Sequence, residues 1–246
     1  MLYSSPNFDD RTSPIWMVLL HYTGMSSGAA ALARLCDPAA KVSAHYLIDL
    51  DGTVHQLVAE EKRAWHAGVS SWSGERDINS CAMGIELVNK GHDAPEYGYH
   101  GDYHHFTDAQ MTALIPLLQT LKSRYDIEDR FILAHSDVAP ARRKDPGEKF
   151  DWSRLAAEGV GLWPDVVSAQ GPSLRPGESG PAVEDLQRKL AAFGYGLRVS
   201  GFYDDTTEAV VTAFQRHFVP DQMTGIAAAL TQARLEQLLD LAGIEQ

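Results

Sequence analysis

His21, His135 and Asp145 are the residues of this 246-residue chain whose types and places could do chemistry together. His21 closes the apolar run Ile15–Tyr22 (IWMVLLHY), and His135 closes Phe131–His135 (FILAH), so each stands at the end of a predicted strand, at the rim of a sheet. Asp145 follows His135 by ten residues, after the proline-broken stretch SDVAPARRK and before Pro146-Gly147. Two imidazoles and one carboxylate are a donor set for zinc, with the fourth position left to water. Spacing alone leaves other uses open. A histidine can close a strand for packing reasons, and Asp-Pro-Gly is an ordinary turn. Glu86 stands in MGIELVN between Ile85 and Leu87. A carboxylate within an apolar strand costs free energy unless it is partnered or functional; the plainer reading is an outward-facing residue on a half-exposed strand.

The remaining histidines read as surface residues. His100, His104 and His105 lie in the polar stretch GYHGDYHHF, His92 and His217 are of the same kind, and His55 falls on a predicted hairpin. His45 either supports a zinc ligand from behind or packs in the sheet.

The elements that must position these side chains follow from periodicity. Ile15–Tyr22 is a strand buried on both faces. Ala44–Leu50 and Thr53–Leu57 flank Asp51-Gly52, a two-residue hairpin signal. Met83–Val88 and Phe131–His135 are further strands. Thr107 to Gln110 forms a capping box, followed by a helical stripe of Met111, Leu114, Ile115, Leu118 and Leu121, in which Pro116 should kink or shorten the helix. Helices are also expected over Ser26–Cys36 and Trp152–Ala157. Strands interleaved with helices imply an α/β (α+β) domain around one mixed sheet. The segment Trp163–Ser179 is rich in proline and glycine and reads as a linker. Beyond it, three helical stripes (Val183, Leu186, Leu190 and Phe193; Val210, Phe214 and Phe218; Leu235, Leu238 and Leu239) make a small three-helix domain. The division expected is 1–163, a linker over 164–179, and 180–246.

Five blocks carry a family resemblance: HYTGM around His21, VSAHYLIDLDGTVHQLV, RAWHAGVSSWSGERDIN, GIELVN around Glu86, and AHSDVAPARRKDPGEKFDW. Together they resemble the type 2 zinc N-acetylmuramoyl-L-alanine amidases, which include a cytosolic muropeptide-recycling amidase and envelope relatives, and which share their fold with peptidoglycan-recognition proteins. The resemblance spans roughly residues 14–163. It implies that His21, His135 and Asp145 hold Zn2+ and that Glu86 is the catalytic carboxylate. The family commonly places lysine two residues before the ligand aspartate; here that place holds Arg143, and Lys144 follows. Arginine keeps the charge but is a planar fork, so the exchange is not neutral. Arg143 is the expected oxyanion-stabilising group, with Lys144 the alternative. Trp65 and His66 in RAWHAG are candidates for lining the cleft, although a core tryptophan would look the same. Lys41, before VSAHY, falls where a relative has a cation facing a stem-peptide carboxylate.

The C-terminal part resembles the three-helix peptidoglycan-binding module of wall hydrolases, through SGPAVEDLQRKLAAFGY and SGFYDDTTEAVVTAFQRHF. The implied activity is zinc-dependent hydrolysis of the amide joining N-acetylmuramic acid to L-alanine in peptidoglycan or anhydro-muropeptides. Rival readings are a peptidoglycan-recognition protein without catalysis and a zinc endopeptidase cutting within the stem peptide.

Composition sets outer bounds. A net charge of −12 argues against a nucleic-acid partner. The longest apolar run falls far short of the ~20 residues that span a bilayer. The two cysteines, Cys36 and Cys81, match no metal spacing and read as thiols. The N-terminus shows no basic-then-apolar leader, which points to the cytoplasm, whereas a wall-binding module points to the envelope. No feature demands more than a monomer.

Overall fold

The computed structural model describes residues 3–92 and 103–245. A five-stranded sheet in the order β4-β3-β6-β2-β7 forms its centre. The strands are β2 (Met17–Tyr22), β3 (Tyr46–Ile48), β4 (Val54–Gln56), β6 (Ala82–Leu87) and β7 (Ile132–Ala134). Pairing is parallel between β2 and β6, β2 and β7, and β3 and β6, and antiparallel between β3 and β4. A separate ribbon pairs β1 (Phe8–Asp10) with β5 (Lys62–Ala64). Helices α1 (Gly28–Leu35), α2 (Ile78–Cys81), α3 (Asp108–Tyr125), α4 (His135–Val138) and α5 (Trp152–Ala157) surround the sheet, and α6 (Pro181–Phe193), α7 (Asp205–Phe218) and α8 (Ala229–Leu241) form the C-terminal bundle.

Alternation along β2 divides the core. Val18 and Leu20 face α3 and meet Met111, Leu114, Leu118 and Leu121. Met17 and Leu19 face the other way, into a cluster that includes Trp72 and the bundle residues Phe193, Phe214 and Phe218. Side chains two apart share a face, so His21 lies on the bundle side. The three expected helical stripes are all buried.

Several local expectations are corrected. Ile48 pairs with Val54, so the hairpin connection spans 49–53 rather than two residues; the backbone bonds Gly52 N–H to Asp49 C=O and Asp49 N–H to Thr53 C=O close it. Helix α3 is not cut short at Pro116, because that residue lies on the exposed side, where a missing amide bond is tolerated. His135 does not end β7; it is the first residue of α4. His100 lies outside the described residues, and both cysteines are free thiols. The 164–179 segment lacks helix and strand but is pinned: Val166 N–H donates to Gln237 Oε1, Arg234 donates to Val166 C=O, and Leu174 pairs with Ala227. Among the described residues no helix is long and apolar enough to cross a membrane.

The start of α3 is fixed by Gln110, which completes the capping box with Thr107 and also donates to Val88 C=O at 2.9 Å from a fully buried position. Gln110→Ala removes the box and leaves a buried carbonyl short of a donor. It should lower stability by about 1–3 kcal/mol, measured by urea unfolding, with metal content unchanged.

Candidate metal centre and active site

Strands β2, β6 and β7 run parallel, so their carboxyl ends meet at one edge, where sites on such sheets form. His21 lies one residue from the end of β2, Glu86 one residue from the end of β6, and His135 directly follows β7. The register sets His21 beside Glu86. Asp145 reaches the same point from the loop after α4, ahead of a cis peptide to Pro146.

His21 Nδ1, His135 Nδ1 and Asp145 Oδ2 lie 2.9 Å from one another, all buried. Among the described residues this is the one group of such side chains gathered closely enough to hold a metal ion. The partners of the imidazoles test the fit. His135 Nε2 lies 2.9 Å from the Ala67 carbonyl, to which only an N–H can donate. An N–H is therefore on Nε2, and in the neutral ring the Nδ1 lone pair faces a carboxylate oxygen. One proton on His21 can bridge only part of this triangle, so lone pair confronts lone pair unless a cation sits among them. A metal-binding histidine that donates its other N–H to a carbonyl is the usual arrangement. The donor set of two nitrogens and one oxygen suits zinc.

The surroundings reinforce this. Burial and neighbouring His135 hold the His21 imidazole down to about 4. Burial would raise the Asp145 carboxyl, but His135 and His21 outweigh it and hold it well below the usual range. Glu86 is pushed well above its ordinary value, first by burial and then by Asp145, with Arg143 opposing. Its Oε2 is shielded from solvent and makes no hydrogen bond.

These groups border a cleft of about 630 Å3. Trp65, His66, Glu86, Arg143 and Lys144 all line it, whereas Lys41 stands outside the lining, its ammonium 6.0 Å from the Trp65 ring centre. Trp65 also donates its indole N–H to Asp9. His66 is half-buried against His21, with 3.1 Å between His66 Nδ1 and His21 Nε2. Glycine at position 84 makes this possible, because a Cβ there would lie 2.5 Å from the His66 ring. His45 packs in the sheet behind His66, accepting from Gly84 N–H and facing the Lys62 carbonyl.

Sequence reasoning missed three participants. Arg142 donates to the carbonyls of Ala67 and Val69, bracing the loop that holds His135 Nε2. His92, read as solvated, lines the cleft and contacts Tyr22 and Glu148. His217, also read as solvated, is buried, 2.7 Å from buried Asp137. These pairs join residues far apart in the chain, which leaves no local pattern. The Gly in MGIELVN was the one available signal, as a strand position kept clear for a neighbour.

The fold and the three-donor centre define a metal-dependent hydrolase. The N-acetylmuramoyl-L-alanine amidase model matches residues 11–148, and a peptidoglycan binding domain model matches 179–235. The N-acetylmuramoyl-L-alanine amidase AmiD of Escherichia coli K12 is 36% identical over 238 residues, covering 93% of this chain and 84% of that protein. The 1,6-anhydro-N-acetylmuramyl-L-alanine amidase AmpD of Enterobacter cloacae is 46% identical over 116 residues, 47% of this chain and 56% of that protein. The structure of E. coli AmiD with anhydro-N-acetylmuramic acid-L-Ala-D-gamma-Glu-L-Lys superposes with a TM-score of 0.81 at 34% identity, covering 96% of this chain and 94% of that one. AmpDh3 of Pseudomonas aeruginosa gives 0.79 at 29% identity, covering 99% and 100%. The chain belongs to the N-acetylmuramoyl-L-alanine amidase family, hydrolases of the amide between N-acetylmuramic acid and L-alanine.

Two outcomes follow. Gly84→Ala should drive the His66 ring onto His21 and weaken metal binding at least tenfold, read by chelator competition; unchanged affinity would show that His66 has room to move. Burial holds His45 down to about 3, from an ordinary 6.5. The unfolded chain takes up a proton below pH 6.5 that the folded site refuses, so this contribution is complete above pH 6.5 and lost as pH falls toward 3. His45→Gln should flatten the acid slope of stability by up to about 1.4 kcal/mol per pH unit between pH 6 and 4. Equal slopes in urea titrations of variant and parent would contradict it.

Proposed function

We propose that this amidase is zinc-dependent, with His21, His135 and Asp145 as the ligands, Glu86 as the proton carrier and Arg143 as the oxyanion-stabilising cation. The observation that carries this reading is the triangle of three buried donor atoms 2.9 Å apart, with the shielded Oε2 of Glu86 beside it on the neighbouring strand. Residues 1–163 form the catalytic unit, 164–179 the connection and 180–246 the wall-binding domain, a division supported by the matched spans 11–148 and 179–235. The substrate is a peptidoglycan-derived muropeptide, as bound by the structural relatives.

Zinc, when bound, supplies a Lewis acid that polarises the amide carbonyl and lowers the pKa of water to about 7. The chain's own groups do the rest. Glu86, whose pKa burial raises and whose carboxylate is thereby a stronger base, takes the proton of the attacking water on Oε2 and passes it to the leaving amine nitrogen. Arg143, whose charge is felt at both Glu86 and His21, faces the carbonyl oxygen as it becomes negative. Lys144 borders the same cleft, but Arg143 is the cation whose charge bears on both Glu86 and His21, which favours Arg143. Trp65 offers an aromatic face to the sugar or stem peptide, with Lys41 and His66 flanking it.

Glu86→Gln should keep one zinc per chain and the parent melting temperature while losing on the order of 10²–10⁴ in turnover. Mass spectrometry of the digested muropeptide should show the intact peptide freed from the muramyl sugar. Retained turnover would remove Glu86 from its role, and shortened stem peptides would replace the amidase reading with an endopeptidase.

A further inference from the structure

We infer that the C-terminal helical domain holds the metal centre in shape, with His217 and Tyr195 as positioning residues for the ligand His135. This rests on the zinc reading above. Asp137, two residues after His135 on α4, is fully buried. Its carboxylate takes three hydrogen bonds: from Ala134 N–H at 2.8 Å, from His217 Nδ1 at 2.7 Å and from Tyr195 O–H at 2.8 Å. The first closes the turn that carries His135. The other two come from the bundle, 80 and 58 residues away. A buried carboxylate without its donors must turn toward water or draw its own backbone with it. Either movement acts on His135, the neighbouring residue of the same short turn.

The opposite side of His135 is braced by the same domain. Its Nε2 is fixed by the Ala67 carbonyl, and the segment after Ala67 is tied at both ends of Trp72: Ser71 N–H donates to Val138 C=O, and Ser73 N–H donates to Gly194 C=O. Trp72 is fully buried against Tyr195, 4.8 Å between ring centres, and a Cβ at Gly194 would lie 2.4 Å from its ring. The consecutive residues Arg216 and His217 of α7 thus reach both ligand loops, since Arg216 Nε lies 4.0 Å from Glu148, three residues past Asp145. His217 is held for this task by stacking between Trp152 and Phe218, at 3.7 and 3.8 Å.

Packing and hydrogen bonding are separable at His217. His217→Phe keeps an aromatic ring in the stack and deletes the donor; His217→Asn deletes the ring and keeps a nitrogen at the place of Nδ1. Both would be made in the full chain, with zinc affinity of the metal-free protein read by competition with a chromophoric chelator and turnover read on a soluble muropeptide. His217→Phe should weaken zinc binding 10–100-fold, with turnover lost at limiting zinc and recovered at excess zinc. His217→Asn should restore affinity to within a few-fold of the parent. Tyr195→Phe, which removes a single hydroxyl, should weaken zinc in the same direction and serves if His217→Phe fails to fold. Parent-like affinity in His217→Phe or Tyr195→Phe, or an Asn variant as impaired as the Phe variant, would overturn the inference. A parent chain that binds no zinc would instead sink the reading on which it rests.

Discussion

Two imidazole nitrogens and a carboxylate oxygen are held 2.9 Å apart in a buried pocket, and the structure around them has to resist the repulsion of any lone pairs that no proton or cation bridges. The chain does so by anchoring each donor from behind. His135 is tied through Nε2 to a backbone carbonyl, His21 stands on a central strand flanked by two parallel neighbours, and Asp145 follows a loop whose Arg142 is clamped to the carbonyls of Ala67 and Val69. Burial of the site lowers the local dielectric, which strengthens both the repulsion among bare donors and their attraction to a cation. The same dryness raises the pKa of Glu86, making its carboxylate a stronger base. One constraint therefore shapes both the donor triangle and the carboxylate beside it.

The sheet translates sequence into that geometry by simple alternation. Ala82, Gly84 and Glu86 share one face of β6, as Met17, Leu19 and His21 share one face of β2. Near the start of these strands that face is apolar and packs against the bundle cluster, and at the carboxyl edge it becomes polar. Gly84 sits at the change, where the absent side chain admits the His66 ring. A larger residue would have supplied more core but closed the site.

How much of this was legible depends on the range of each interaction. The ligand candidates were readable because a histidine ending an apolar strand is a local feature, and the helix stripes because their period is local. The hairpin at Asp51-Gly52 was rightly placed but its connection is longer than two residues, because β3 is held by β6 as well as by β4. Pro116 misled because its effect depends on which side of α3 meets solvent. His92 and His217 were misread for a stronger reason: their acidic partners, Glu148 and Asp137, lie 56 and 80 residues away in the chain, so no local pattern marks those contacts. The family resemblance carried ligand and catalytic roles but was silent on contacts between the two matched regions.

Those contacts change what the bundle is physically. Met17 and Leu19 of the sheet, Trp72 of the loop and Phe193, Tyr195 and Phe214 of the bundle belong to one buried cluster. Each large apolar side chain withdrawn from water contributes about 1.5–3 kcal/mol, so separating the two regions would expose several such groups at once. The connecting segment is also fastened to α8 through Val166, which removes the slack a tether needs. A wall-binding domain on a loose tether would raise the local concentration of substrate in all orientations. Fixed instead to the sheet face that carries His21 and Glu86, such a domain would hold any polymer it bound in one orientation relative to the cleft.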